Sequence, residues 1–347
     1  MRWRSVASLI LSLGLVLIIP WAARGDTASP RLAKYRAQVD AAVDRALDWL
    51  AKNQAKEGHF TGARGRTNAV VGLCGMAFLS KGYTPGHGPY GENLNRCIDY
   101  ILRHQRANGA LDGAYGGGGM YSHCIATLLL SEVSGMVDEE RQAKIDKILP
   151  RALKVILTAQ QIKKHPRHQG GWRYKPNSRD SDISVSGWAL MALRSARLNG
   201  APVQKKAIDD AVAFITRCRR PDGGFGYQPG GGSGVARTGA ALLCLELTGH
   251  HNEKVTREAG DYLLRSMKRR KFIYDRHFFY ALYYCSQGMF QLGGEYWERF
   301  AEAKYKHMFE RQHKDGYWRH GSALAYPTAM TVLALTVVHR QLPIYQR

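Results

Sequence analysis

The sequence has few acidic residues for its length and little that predicts a β-strand. Among 347 residues, 28 Asp and Glu stand against 50 Lys and Arg, which gives a formal net charge of +22. No alternating run of apolar and polar residues competes with the helical patterns, so a helical fold is expected. The basic residues are spread along the chain in short clusters such as 268–271, and no nucleic-acid motif accompanies them. We interpret the charge as a solvated basic exterior and expect no nucleic-acid partner.

Closely spaced cysteines are also missing. The six cysteines are far apart, and no CxxC pair occurs. Four of them, Cys74, Cys124, Cys244 and Cys285, lie in apolar runs, where a buried thiol behaves as a small hydrophobic group. We therefore expect mostly free, buried cysteines, although pairing cannot be read from a sequence.

Long apolar runs are absent except at the N-terminus. There, two arginines precede an uncharged, largely apolar run that Pro20 breaks before a set of small residues. This pattern predicts a secretory signal and therefore an exported protein, periplasmic or secreted. The alternative is an N-terminal membrane anchor, because the run is close to the minimum length for a spanning helix. The expected organisation is a signal peptide over 1–25, a linker over 26–37 and a single domain over 38–347.

Beyond the N-terminus, one helical unit recurs six times. Each unit joins an amphipathic helix to a helix that is apolar nearly all round, through a turn that contains glycine in all units but the fifth. The amphipathic helices are predicted over 39–54, 94–105, 145–161, 205–219, 256–267 and 296–312. The apolar helices are predicted over 68–79, 123–133, 185–198, 236–247, 277–287 and 327–338.

The two helix types predict the architecture. A helix with one apolar stripe belongs on an outer surface, whereas one that is apolar all round is covered on both sides. Six hairpins can close on themselves, which hides the ends that an open solenoid has to cap. The sequence therefore predicts an all-α fold, an (α/α)6 toroid of six helical hairpins with inner and outer helix rings. The N-termini of the inner helices would converge around one mouth of a central cavity.

The turns carry a motif in which a glutamine precedes a glycine and an aromatic residue. It occurs as Gln54-x3-Gly58-x-Phe60, Gln160-x9-Gly170-Gly171-Trp172 and Gln312-x3-Gly316-x-Trp318. These turns resemble the QW repeat of the terpenoid cyclases, a repeat family that includes the protein prenyltransferase β subunits. The resemblance covers most of the chain and implies the toroid fold. Prenyltransferases bind zinc through an Asp-x-Cys pair, which is missing here, so no metal or cofactor is expected.

The third apolar helix is preceded by Asp180-Ser181-Asp182-Ile183-Ser184. This stretch resembles the DxDD motif of squalene–hopene cyclases, whose middle aspartate protonates a terminal alkene, with Ile183 in place of the last aspartate. The resemblance implies Asp182 as the acid, with Asp180 beside it. Two close carboxylates at a low-dielectric cavity mouth cannot both ionise easily, so one would stay protonated. The alternative is that an aspartate or Ser181 only caps the helix.

Other polar and aromatic residues fall near the predicted mouth and are candidates for substrate binding. The arginines could hold an anion at helix N-termini or neutralise the two aspartates. The tryptophans could stabilise a cation or simply pack. The candidates are Arg66, Tyr121, His123, Trp172, Arg237, Arg276, His277 and Tyr326.

These features leave three functions open. The first is a terpenoid-cyclase-like isomerase that cyclises an apolar polyene or membrane lipid by protonation, with peripheral membrane contact. The cyclases of that family carry two helical barrels, whereas this chain supplies one. The second is a non-catalytic toroid that binds an acidic polymer or a partner protein. The third is a polysaccharide lyase or hydrolase, because (α/α) toroids also serve those reactions. The oligomeric state is not predicted.

Overall fold

The computed structural model describes residues 29–113, 119–268, 272 and 277–346. Within these ranges the chain forms helices and isolated β-bridges but no sheet. A four-residue helix, α1 (Pro30–Ala33), precedes six hairpins. In chain order they are α2 (Arg36–Lys52) with α3 (Asn68–Ser80), α4 (Gly91–Arg103) with α5 (Gly119–Val133), α6 (Glu139–Gln161) with α7 (Ile183–Leu198), α8 (Lys205–Arg217) with α9 (Val235–Leu247), α10 (Lys254–Lys268) with α11 (Phe278–Leu292), and α12 (Gly294–Glu310) with α13 (Ala325–Leu335).

The second helix of each hairpin belongs to a closed inner ring. Each inner helix contacts the inner helices before and after it, and α13 contacts α3. The first helices of the hairpins form the outer ring. The predicted (α/α)6 toroid is confirmed. Helical structure begins earlier than the predicted domain boundary at residue 38, because α1 packs on α12 and α2 begins at Arg36.

Burial separates the two rings as the sequence pattern predicts. All but one of the residues of α3 are buried, whereas the buried residues of α10 lie along one face. Small residues let inner helices approach closely. A Cβ on Gly75 would lie 2.7 Å from the Leu129 side chain, and one on Gly239 would lie 2.6 Å from the Cys285 sulfur.

Four turns share one hydrogen-bonding device. A glutamine Nε2 donates to the carbonyl of the turn glycine and to a carbonyl of the next outer helix, which ties adjacent hairpins together. The last of the four joins α12 to α2 and so closes the outer ring. The pairs of acceptors are Gly58 and Asn93 for Gln54, Gly109 and Ile148 for Gln105, Gly170 and Ala207 for Gln160, and Gly316 and Ala42 for Gln312, at 2.8–3.2 Å.

All six cysteines are free and buried, as expected for small hydrophobic groups in a core. Among the described residues, no helix combines the length and apolar character needed to cross a bilayer. The predicted signal peptide or anchor lies outside the described residues.

Candidate active site at the third inner helix

Asp182 is the N-cap of α7, and its side chain is fully buried. One carboxylate oxygen, Oδ1, accepts hydrogen bonds from the backbone N–H groups of Ser184 and Val185, each at 2.9 Å. This is the capping role that sequence analysis offered as the alternative to acid chemistry. The cap uses only Oδ1, and Oδ2 makes no hydrogen bond of good geometry in the described structure, although the Tyr227 hydroxyl is close enough to stabilise the carboxylate. Capping and proton donation are therefore compatible in the same side chain.

Burial raises the pKa of Asp182 from its ordinary 3.8 to about 6. The N–H groups of Val185 and Ser184, the Arg173 charge and the Tyr227 hydroxyl oppose this rise by stabilising the charged form. The cause differs from the sequence-based expectation, which relied on repulsion between two carboxylates. Because Oδ1 already accepts two hydrogen bonds, the proton of the neutral acid belongs on Oδ2.

Arg173 lies between the two aspartates. Its Nε is 3.4 Å from Oδ2 of Asp180, and its Nη1 is 3.7 Å from Oδ2 of Asp182. Asp180 also accepts a hydrogen bond from Gln228 at 3.1 Å, and 46% of its side chain is exposed. Asp180 thus has water and two polar partners, while Asp182 is enclosed. The two carboxylates occupy different environments, as paired acids with separate roles require.

Two tyrosine rings lie against the guanidinium of Arg173. It lies 4.9 Å from the ring centre of Tyr174 and 5.3 Å from that of Tyr227, and the two tyrosine hydroxyls are 2.5 Å apart. Tyr174 and Tyr227 come from the loops before α7 and α9. Sequence analysis did not select Arg173, Tyr227 or Gln228. The sequence feature that could have identified Arg173 is its place directly after the turn tryptophan. The backbone of Trp172 pairs with that of Asp182, so the next residue lies near the acid.

Further tyrosines of the inner ring surround the acid. Tyr280 of α11 donates a hydrogen bond from its hydroxyl to the Ser184 carbonyl at 3.2 Å, and Tyr121 of α5 lies 5.7 Å from Tyr174 between ring centres. Both interact electrostatically with Asp182, and burial raises the pKa of each hydroxyl well above its ordinary value. Tyr121 and Tyr280 are nevertheless partly exposed. Both residues lie in the first turn of an inner helix, so their partial exposure leaves the rings accessible at the end of the inner ring where Asp182 caps α7.

His123, a predicted substrate-binding residue, has a structural role. Its Nδ1 accepts a hydrogen bond from the Leu111 N–H at 2.9 Å, and its Nε2 is 3.0 Å from the Ala152 carbonyl. Burial lowers the pKa of the imidazole to about 4, so the ring is neutral. The same bond to the turn N–H is made in other units by Ser186, Thr238 and Thr328, at 2.9–3.0 Å. With both nitrogens engaged, His123 joins a turn to α6 and has none left for a ligand.

The other predicted residues divide between core and mouth. Trp172 is buried and donates from its indole N–H to the Ile156 carbonyl at 2.7 Å, which makes it a packing residue. Arg237, in the first turn of α9, is half-buried and donates from Nη2 to the Ser233 carbonyl at 3.2 Å. Arg66 and His277 are exposed, Tyr326 lies in the first turn of α13, and Arg276 lies outside the described residues.

Replacing His123 with alanine tests the structural assignment. The variant leaves the Leu111 N–H and the Ala152 carbonyl unpaired beside a cavity, so we expect a loss of about 3 kcal/mol in the free energy of unfolding. Because the folded pKa of about 4 lies below the ordinary 6.5, His123 contributes stability above pH 6.5 that is lost as pH falls toward 4. Denaturant titrations at pH 7.5 and 5 measure both effects. An unchanged unfolding free energy would contradict the assignment.

The chain belongs to a known family of helical toroids. It matches the family described as the prenyltransferase alpha-alpha toroid domain over residues 23–82, 42–151 and 73–272. The three matches overlap and together span residues 23–272, which is most of the chain. The terpenoid-cyclase and prenyltransferase superfamily predicted from the turns is therefore confirmed.

Individual relatives include cyclases and a sugar enzyme. Over 191 residues the chain is 26% identical to the drimenyl diphosphate synthase of Streptomyces showdoensis, a match that covers 54% of this chain and 32% of that one. The chain thus spans about a third of that relative's length. The type II terpene cyclase MstE from Scytonema superposes with a TM-score of 0.61 at 14% identity, covering 88% of this chain and all of that one. The cellobiose 2-epimerase of Spirochaeta thermophila gives 0.67 at 13%, covering 90% and 99%. These two likenesses show the fold alone.

Proposed function

We propose that the protein is a terpenoid-cyclase-like isomerase that cyclises an apolar polyene by protonation, with Asp182 as the acid. The observation that carries this proposal is the state of Asp182: a buried carboxyl with a pKa of about 6 whose Oδ2 is not used by the helix cap. An acid for an alkene has to be neutral before the reaction and unable to lose its proton to water. Burial raises the pKa, so that Asp182 is mostly neutral below about pH 6, and it keeps water away from the side chain.

The proposed step is an isomerisation that balances without a cofactor. The O–H bond of Asp182 breaks, its proton adds to a terminal alkene carbon, and the electron pair stays on Oδ2. The resulting carbocation is attacked by a neighbouring double bond of the same molecule. The cyclic cation finally loses a proton to solvent, and solvent returns a proton to Asp182, so the product is an isomer of the substrate. The N–H groups of Ser184 and Val185 stabilise the carboxylate that the first transfer creates.

The tyrosines near Asp182 suit a cationic intermediate. The faces of aromatic rings attract positive charge, and a desolvated contact of this kind is worth about 2 kcal/mol. Tyr121 and Tyr280 present partly exposed rings from two inner helices beside Asp182, and Tyr326 begins a third inner helix. Burial raises the pKa values of the three tyrosine hydroxyls, so they stay protonated at neutral pH. Neutral hydroxyls do not neutralise a carbocation as phenolates would.

The substrate class follows from the predicted signal sequence. Diphosphates are cytosolic metabolites, so an exported cyclase would act on a neutral polyene that a membrane supplies. A cleaved signal and peripheral contact with the membrane are part of this proposal. The Scytonema protein is named a type II terpene cyclase, which supports cyclisation chemistry, and the Streptomyces relative is named a diphosphate synthase; neither name gives a neutral polyene as substrate.

Other toroid functions make different demands on the same residues. The fold is similar to that of a sugar epimerase, so a reaction on a sugar is one alternative. Epimerisation and lyase reactions need a general base. His123, a predicted histidine that could serve as this base, has both ring nitrogens in hydrogen bonds to the backbone. A binding toroid would rely on the basic exterior and would not require a protonated buried acid. A hydrolase could use a neutral buried carboxyl as its general acid, so the products formed decide between the two reactions.

Product analysis tests the proposal. The folded protein is incubated with neutral linear polyenes in detergent, and mass spectrometry with NMR searches for a product of unchanged mass and one or more new rings. The rate should fall as pH rises through about 6, because only the neutral form of Asp182 donates a proton. Absence of cyclic product at every pH, with binding of an acidic polysaccharide or release of an unsaturated sugar instead, would favour the alternatives.

A further inference from the structure

The contact between Arg173 and Asp182 is an incomplete ion pair. Nη1 and Oδ2 are 3.7 Å apart, beyond hydrogen-bond distance, and neither atom makes another hydrogen bond of good geometry to a described residue. An ionised carboxylate buried beside a guanidinium ordinarily forms a short, charge-assisted hydrogen bond at about 2.8 Å. The longer separation fits a neutral Asp182, with Arg173 paired instead to the half-exposed Asp180 at 3.4 Å.

Arg173 also lies between the buried Asp182 and the solvent. The Asp182 side chain is 0% exposed, whereas those of Arg173 and Asp180 are 25% and 46% exposed. Exposure therefore rises from Asp182 through Arg173 to Asp180. The rings of Tyr174 and Tyr227 hold the guanidinium in this place, and they come from two different loops.

We propose that Arg173 is the positioning residue of Asp182: it shields the acid from water and faces the negative charge that appears on Oδ2 when the proton leaves. The inference rests on the proposed function in taking Asp182 as the acid. The guanidinium is already fixed by its two tyrosines, so compensation of the new charge requires little movement. A charge placed in advance of the reaction costs no reorganisation at the moment of transfer. Apolar substrate would reach Asp182 from the side of Tyr121 and Tyr280.

Several groups besides Arg173 face the acid, and their charges decide what a titration shows. Asp180 pairs with Arg173, and the tyrosines and the buried thiol stay neutral in the pH range of interest. Arg173 carries the permanent positive charge among them. The neighbouring groups are Asp180 and His168 on the same loop, Cys218 at the end of α8, and Tyr121, Tyr227 and Tyr280.

The test is an infrared titration of the Asp182 carboxyl in the full-length protein. The C=O band of the neutral acid is assigned by its loss in Asp182→Asn, and its midpoint is measured in wild type, Arg173→Met and Arg173→Lys. Removing the charge should move the midpoint upward by about one pH unit, because a nearby opposite charge typically lowers a carboxyl pKa by 1–3 units. Lysine keeps the positive charge but has no planar guanidinium to contact the rings of Tyr174 and Tyr227. The midpoint of Arg173→Lys should therefore lie between those of wild type and Arg173→Met. Arg179→Met, on an exposed side chain of the same loop, is the matched control and should leave the midpoint in place.

Kinetics supply the readout that a merely structural role would not move. In Arg173→Met the pH limb of kcat should shift upward with the infrared midpoint, and kcat should fall about tenfold with a smaller change in KM. An equal midpoint in wild type and Arg173→Met overturns the inference, whether or not the protein cyclises a polyene. If the wild type forms no cyclic product, the proposed function fails, and the infrared midpoint still decides whether Arg173 controls Asp182. If the methionine variant does not fold, Arg173→Gln, which is also uncharged, takes its place in both measurements.

Discussion

Cyclisation by Asp182→Asn should be slower than that of the wild type by about 10³-fold, in the range expected for loss of a general acid. Asparagine keeps a carbonyl oxygen in the place of Oδ1, so it can still accept from the N–H groups of Ser184 and Val185. It has no acidic proton for an alkene. The substitution therefore separates the two roles of this residue, the cap and the acid, with a change of only a few atoms. Product formation is measured by mass spectrometry at pH 5, where the wild type is mostly protonated.

Stability measurements show whether the loss belongs to chemistry. Because the folded pKa of Asp182 is raised from 3.8 to about 6, its contribution to stability is full below pH 3.8 and is lost as pH rises through about 6. Asparagine stays neutral throughout. We expect the variant to match the wild type near pH 4 and to exceed it by up to about 3 kcal/mol at pH 8. Denaturant titrations at the two pH values provide the check.

Two further variants complete the comparison. Asp180→Asn changes a half-exposed carboxylate and should alter the rate by less than about tenfold, since surface charges contribute little. Asp182→Ala removes the acid and the cap together, so it should lose activity and be about 1 kcal/mol less stable than Asp182→Asn, which keeps the cap. Retention of cyclisation in Asp182→Asn would show that the proton comes from another group. Equal losses in both asparagine variants would show that the pair acts only through its charge.

The fold was predictable because its signals are periodic. A helix that is apolar all round and a helix with one apolar stripe can be distinguished residue by residue, and their alternation defines two rings. Closure of the ring could be inferred from the six units, but the hydrogen bond that joins the last hairpin to the first could not. The bond from Gln312 to the Ala42 carbonyl joins residues at opposite ends of the domain, and no local pattern specifies that distance.

The site was predictable in part. Asp182 was found through a motif, whereas Arg173 and Tyr227 meet only because two loops before neighbouring inner helices are brought side by side. His123 shows the converse difficulty. A polar residue near the start of an inner helix can either line the predicted cavity mouth or accept a hydrogen bond from a turn N–H, and the sequence does not distinguish the two roles. The spacing from the turn N–H to the helix residue also varies between units. From Leu111 to His123 it is twelve residues and from Trp318 to Thr328 it is ten, so the shared role is hidden in the sequence.

Gly316→Ala should be the most destabilising of the single substitutions considered, at about 4 kcal/mol or failure to fold. Gly316 has φ of +102°, and a Cβ there would lie 2.2 Å from the Arg45 carbonyl oxygen of α2. That contact is with backbone, which cannot rotate away as a side chain can. The same turn carries the Gln312 bonds to the Gly316 and Ala42 carbonyls, so a shift that relieves the clash also strains the closure of the ring.

Gly249→Ala is the matched control for this effect. Its φ of +96° is nearly the same, yet no atom lies within 4 Å of an added Cβ. It should therefore lose only the cost of the left-handed conformation, about 1–2 kcal/mol. The difference between the two unfolding free energies isolates the contact with α2. Gln312→Ala, which removes the two bonds without adding a Cβ, should fall between them, because each lost buried hydrogen bond costs about 1 kcal/mol and unpaired carbonyls add to it. Equal destabilisation by Gly316→Ala and Gly249→Ala would mean that α12 and α2 can separate freely, and that the toroid does not depend on its last turn to remain closed.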